Sequence, residues 1–332
     1  MLKKIFIGLV AVVAILAVIG LILPRHVKVA RSVAIDRPAS MVYATVNSFV
    51  LFPKWSPWQH LDPNMIQTTE GARDGVGAKL VWKGNDKVGS GTQLITASTA
   101  NQVVASDLDF GEMGVAKSVV TLAPEGGMTR ATWTVDVDMG ANPIGHYIGL
   151  TMDNMLGKDF ASGLNNLKVL VESLPNADIA GFSAEPVQLA AAPALIVAET
   201  APADGIAKAY TDGFAQIGKF MAKNKLHSAG APFGIEHDVT AGTYKFDAGI
   251  PVDRGDVGGA DGVRVVQSYA GKALKATHVG SYQNLPKIHQ QLMAYMAVHG
   301  YKANGPVIAS YVDDPGNTPV DKLRTEMYAP IE

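Results

Sequence analysis

Toward its carboxyl end the chain reads KLRTEMYAPIE, from Lys322 to Glu332. As an extended strand it alternates, with Leu323, Thr325 and Met327 on one side and Arg324, Glu326 and Tyr328 on the other. A carboxylate with a guanidinium and a phenol on its own face can do three things. It can act as a general base, hold an organic cation, or pair with Arg324 as a structural salt bridge. On a half-buried, aromatic-lined floor such an acid is hard to ionise, so its pKa is expected above the ordinary value of about 4.3. A bound cation offsets that penalty. Tyr311, Tyr328 and Tyr282 are candidate walls, each able to add cation–π attraction of roughly 0.5–2 kcal/mol. The catalytic alternative makes Glu326 the base on a water while the Tyr311 hydroxyl donates to the developing anion.

Other chemistry finds little support. The 332 residues contain no cysteine, which excludes disulfides, thiolate metal sites and a cysteine nucleophile. The 8 histidines are scattered. One stretch, Glu236-His237-Asp238, packs acid and imidazole together, but neighbours on a strand alternate faces and cannot converge on one ion. No metal or cofactor is expected. GARDGVG and DVGGADG lack dinucleotide and P-loop spacing and read as turns, and no G-x-S-x-G elbow occurs. A formal charge of -2 without a basic run argues against nucleic acid as a partner.

A sheet must position Glu326, and the second half of the chain supplies one twice over. Strand PALIVAET, helix GIAKAYTDGFAQIGKFMAKN and strands APFGIEHDV and TYKFDAGIPV are followed by strand ALKATHVGSY, helix NLPKIHQQLMAYMAVHG and strands GPVIASYVDDP and KLRTEMYAPI. Superposing Pro251 on Pro330 aligns Asp247 with Glu326; superposing Pro232 on Pro306 aligns His237 with Tyr311. Two β-α-β-β halves predict a sheet with helices on one face and an open face bearing Asp247 and Glu326, the two acids approaching across a pseudo-twofold groove.

The stretch THVGSYQNLPKIHQQLMAYMAVHGYKANGPVIASYVDDPGNTPVDKLRTEMYAPI resembles the GyrI-like effector-binding domain over residues 187–332. The resemblance implies a small-molecule groove with Glu326 at its floor and Tyr311 in its lining, and a hydrogen-bonded structural role for His278. Some relatives of this kind hydrolyse strained electrophiles. The helix-turn-helix of the regulators that carry this domain is missing here, so a transcription factor is not expected.

The first half begins with IFIGLVAVVAILAVIGLIL, Ile5 to Leu23, without a charge. At about 1.5 Å per residue this run extends roughly 28 Å as a helix, close to a bilayer's hydrocarbon thickness. It is read as an uncleaved single-pass anchor in a bacterial inner membrane, with the remaining mass on the periplasmic side. Residues 26–174 then follow a strand–helix–strands–long helix pattern. Trp133, Val135, Val137 and Met139 share one strand face, and Met152, Leu156, Phe160, Leu164, Leu167 and Val171 form a helical stripe. The segments RSVAIDRPASMVYATV, FPKWSPW, GVGAKLVWKGNDKVGSGT and GKDFASGLNNLKVLVE resemble the START-like, helix-grip superfamily in its polyketide-cyclase-like branch. That likeness implies a hydrophobic cavity, for which Trp55, Trp58, Trp82, Phe110 and Trp133 are candidate walls.

The expected architecture is α+β: an anchor over 1–25, a helix-grip antiparallel sheet domain over 26–174, a linker over 175–186 and a duplicated effector-binding domain over 187–332. The expected activity is capture of lipophilic molecules, cationic ones included, with hydrolysis and a bare scaffold as alternatives.

Overall fold

The computed structural model describes residues 2–332 except 112, 113, 142 and 241, and side chains other than those of residues 2, 238 and 239. It is α+β, with two antiparallel sheets in two compact units, the first comprising residues up to Ala180 with Val298–Gly300 and the second Gly181–Ala297 with Tyr301–Glu332.

In the first unit, helix α1 (Leu2–Ile22) exposes Ile5, Leu9, Val13 and Leu16, and is long and apolar enough for a membrane span or a signal sequence. Strand β1 (His26–Ile35) and short helices α2 (Ala39–Val46) and α3 (Phe52–Trp55) follow. Next come β2 (Ile66–Gly71), β3 (Ala78–Lys83), β4 (Ser90–Thr99), β5 (Val103–Asp109), β6 (Val115–Glu125) and β7 (Met128–Asp138), then α4 (Pro143–Gly149) and α5 (Met152–Ser173). The sheet order is β1-β7-β6-β5-β4-β3-β2, a meander with the first strand laid against the last. The β6–β7 hairpin turns on Gly126 and Gly127, whose φ values of 55° and 87° only glycine adopts readily in succession. Ala131, Trp133 and Val135 alternate inward along β7, Phe160, Leu164, Leu167 and Val171 form the buried stripe of α5, and Trp133 stacks on Phe160. Gly163 allows α5 to lie this close, since a Cβ there would stand 2.9 Å from the Trp133 ring and from Pro57.

The expected linker is less free than its composition suggests. The Ser40 hydroxyl donates to Asp178 at 2.7 Å, and Ile179 is buried in the first unit. Phe182 and Ala184 pack against the core of the second.

The second unit contains β8 (Glu185–Leu189), β9 (Pro193–Pro202), α6 (Ile206–Asn224), β10 (Phe233–Thr240), β11 (Thr243–Pro251), β12 (Arg264–Gln267), β13 (Gly271–Val279), α7 (Leu285–Val298), β14 (Ile308–Tyr311) and β15 (Arg324–Pro330). Its curled eight-stranded sheet runs β12-β9-β11-β10-β14-β15-β13-β8. The six inner strands are palindromic: β9-β11-β10 of one repeat meets β14-β15-β13 of the other. Helix α6 packs on Leu195 and Val197, and α7 on Leu274, Ala276, Met327 and Ala329. Pairing of Ala309 with both Gly234 and Met327 puts the two helices on the same face of the sheet.

The register at the centre departs from the sequence alignment. Phe233 faces Ser310, Gly234 faces Ala309 and Ile235 faces Ile308, so the repeat axis passes through the Gly234–Ala309 pair. In this frame Tyr311 corresponds to Glu236, one residue before His237. The second repeat has one more residue between its proline and the symmetric pair than the first, and β10 carries an irregularity between Glu236 and Asp238. A one-residue offset turns a strand's side chains to the opposite face.

Candidate ligand-binding site

Strand pairing decides which side chains share a face. Phe246 sits opposite Glu199 on β9 and Glu236 on β10, and its ring centroid lies 4.3 Å from that of Tyr210 on α6. Tyr311 sits opposite Thr325, with its ring 5.8 Å from Tyr210, 6.3 Å from Phe214 and 5.2 Å from Tyr282. All of these belong to the helix-covered face. Here α6 and α7 stand apart and leave a groove of about 600 Å³, within the range that holds drug-sized molecules. Tyr210, Tyr244, Phe246, Met293 and Met296 give it an apolar lining, while Glu236 is its carboxylate among the described residues. Lys245, His237 and His289 also reach it.

Tyr210 is the hub of this face. Burial holds its hydroxyl well above the ordinary phenol range, and its hydrogen bond to Tyr311 adds to the effect. Burial pushes Tyr311 up to about 12, although accepting from Tyr210 pulls the other way. Glu236 raises both, which fixes it electrostatically next to the pair. Both phenols therefore stay protonated at neutral pH and act as hydrogen-bonding aromatic surface. Gly234 makes room for them, because a Cβ there would collide with the Tyr210 hydroxyl. Beneath Tyr311, the fully buried Thr325 hydroxyl has no hydrogen-bond partner. Glu199 lies under α6 beside Gly213, and burial raises its carboxyl, with nearby Asp212 adding to the shift.

Glu326 is elsewhere. It pairs with Ser310 and Thr277 on the face turned away from the helices, so it and Tyr311 point to opposite sides of the sheet. The hydrolytic pairing of Glu326 as base with Tyr311 as donor is therefore corrected: the two cannot meet one substrate across a sheet. Glu326 accepts a hydrogen bond from Tyr328 and lies near Lys275, which is itself paired with Glu185 at 2.8 Å. Arg324 does not neutralise it. The guanidinium instead makes a two-pronged pair with Asp313 at 2.9 and 3.0 Å, holding that carboxyl below the usual range.

Asp247 shares Glu326's face, as the repeat predicts, but three strand spacings separate them, roughly 14 Å. The expected approach of the two acids across a groove does not occur. Asp247, only 5% exposed, is bound by Arg264 at 3.0 Å and His237 at 2.8 Å. Tyr282 remains with Tyr311 on the helix side; Tyr328 goes with Glu326. Sequence reasoning weighed Glu236 only as part of a metal trio. Among the described residues no group of side chains could hold a metal.

The helix-grip interior divides the five aromatic candidates. Trp55, Trp58 and Trp133 pack with Phe160, the Trp133 and Phe160 rings stacked 4.2 Å apart. The void lined by Trp55, Trp133, Ser106 and Ser118 measures about 20 Å³, room for about one water. Trp55 and Trp133 line this void, and the packing of the rings on one another and on Phe160 leaves it small. The Trp133 indole donates to Ser118 at 2.8 Å, whereas the buried Trp55 indole N–H has no partner. Trp82 and Phe110 form a separate edge-to-face pair 5.7 Å apart.

Comparisons with known proteins match two families along the chain. A family described as "Polyketide cyclase / dehydrase and lipid transport" matches residues 26–172, and one described as "GyrI-like small molecule binding domain" matches residues 187–332. No curated protein matches the sequence. Among solved structures, EcmrR in its DNA complex is 16% identical, with 57% of this chain and 72% of that chain covered and a TM-score of 0.42. The EcmrR C-terminal domain is 18% identical over 46% of this chain and 98% of that one, also at TM-score 0.42. SAV2435 bound to tetraphenylphosphonium is 14% identical over 45% of this chain and 94% of that one, at TM-score 0.36. The chain thus joins a domain of the polyketide cyclase/dehydrase and lipid transport family, residues 26–172, to a GyrI-like small molecule binding domain, residues 187–332.

Proposed function

We propose that the protein captures lipophilic small molecules, cationic ones included, in the groove between α6 and α7, with α1 holding the chain at a membrane. The groove itself carries the reading: about 600 Å³, apolar and aromatic in lining, and furnished with a carboxylate. Apolar contact supplies most of the affinity. A guest that buries about 200 Å² of apolar surface gains roughly 5 kcal/mol at 25 cal/mol per Å². Glu236 is exposed, and an ion pair to such a group adds about 1 kcal/mol or less. Lys245 in the same groove reduces that further. Charge selects among guests; it does not bind them by itself.

Titration with rhodamine 6G, a planar lipophilic cation, and with an uncharged xanthene of similar size tests this. The cation is expected to bind more tightly than the neutral dye by about two-fold, the equivalent of ~0.4 kcal/mol, and Glu236→Gln is expected to abolish the difference. Tyr210→Ala should weaken both dyes. Loss of binding in Glu326→Gln with Glu236→Gln unaffected would move the site to the opposite face of the sheet. The periplasmic placement of the two domains belongs to the same proposal. Alkaline phosphatase fused at the C-terminus should be active there and inactive if the domains face the cytoplasm.

A further inference from the structure

Helix α4 is built onto α1. The Tyr147 hydroxyl donates to the Leu16 carbonyl at 2.7 Å, and His146 Nδ1 lies 2.7 Å from the Gly20 carbonyl oxygen. Gly20 allows the fit, since a Cβ there would stand 2.6 Å from Pro143 Cβ. Leu16 is six residues before the end of α1 and Gly20 two, so α4 occupies a layer roughly 3–9 Å inside the end of that helix.

The outward side chains of that layer are apolar. Ile144 is 68% exposed, Ile148 51% and Leu150 61%. From Gly140 to Met152 the sequence has no Asp, Glu, Lys or Arg. The acids that bound this uncharged stretch, Asp138 and Asp153, are each bridged to an arginine that follows α1: Arg25 at 2.6 Å and Arg31 at 2.9 Å. Charge begins where the layer ends. A soluble domain gains nothing from three large exposed side chains beside an apolar helix, but a bilayer covers both together.

We propose that α4 and the turn after it form a membrane-embedded wedge, with Ile144, Ile148 and Leu150 in the acyl–headgroup boundary, Tyr147 at interfacial depth and the two arginine–carboxylate pairs at the headgroups. This depth matches that of amphipathic interfacial helices, about 5–10 Å into the boundary, and tyrosine is enriched there. The proposal rests on α1 being a membrane span, and its test separates the two.

The chain has no cysteine, so single spin labels can be placed without background. Full-length Val12→Cys, Ile148→Cys and Asp86→Cys proteins, reconstituted in phosphatidylcholine nanodiscs, report α1, the wedge and a solvent-exposed loop. The ratio of oxygen to nickel-chelate accessibility is expected to be several-fold higher at positions 12 and 148 than at 86. A bilayer value at 12 with an aqueous value at 148 overturns the wedge while leaving the anchor intact. A label at 148 shielded from both reagents assigns the patch to a protein partner and also overturns it. An aqueous value at 12 sinks anchor and wedge together.

Discussion

At the scale of single residues, the groove depends on phenol hydroxyls held in low-dielectric surroundings. Gly234→Ala is expected to push the Tyr210 ring off its seat, costing roughly 1–3 kcal/mol of stability and weakening dye binding; denaturant melts and titration read the two effects. Glu199 gives a pH dependence of definite sign. Burial raises its folded pKa above the unfolded value near 4.5, so the native state holds more protons between those two values. Stability therefore falls as pH rises through that window and stays lower above it. Glu199→Gln should raise the urea midpoint at neutral pH and leave it unchanged below the ordinary carboxylate range. Asp247 is a buried carboxylate held by two partners. Arg264→Met leaves a buried carboxylate with the His237 contact alone and is expected to cost roughly 1–3 kcal/mol, read as a lower thermal midpoint.

At the scale of elements, alternation and repetition made much of the architecture legible. AKLVWK is strand β3 to the residue, because its apolar positions alternate and turns bracket it. The duplication was readable because both repeats carry the same pattern of strand, amphipathic helix and two strands. Outer-strand equivalences survive, as Asp247 and Glu326 show. The central strand pair was not readable to the necessary precision. One additional residue ahead of the Gly234–Ala309 pair hid Glu236 behind His237, and no propensity reports such an offset. Nor could the sequence distinguish walls from filling in the helix-grip sheet. Trp55 and Trp133 have the residue type expected of a ligand cavity, but side-chain volume against α5 decides the matter, and Gly163 brings α5 close enough to close it. Trp133→Ala is therefore expected to cost about 3–5 kcal/mol and to open a cavity that takes up benzene-sized apolar molecules, detectable as a thermal shift in the variant only.

At the scale of the whole molecule, two separate cores imply two unfolding events. Differential scanning calorimetry of the detergent-solubilised protein is expected to resolve two transitions, with Trp133→Ala lowering one and Gly234→Ala the other. A groove-binding dye at about 100 times its Kd should stabilise only the transition sensitive to Gly234→Ala, by about 2.7 kcal/mol.

The palindromic strand order has a last implication. Its axis relates Glu236 to Tyr311, Glu199 to His278 and Asp247 to Glu326, so equivalent seats hold unlike chemistry in the two repeats. A hollow with matching ends would accept a guest either way round. This one has lost its mirror: the seat that holds an acid in one repeat holds a phenol in the other, and an elongated guest with a positive tip has a single preferred polarity of entry.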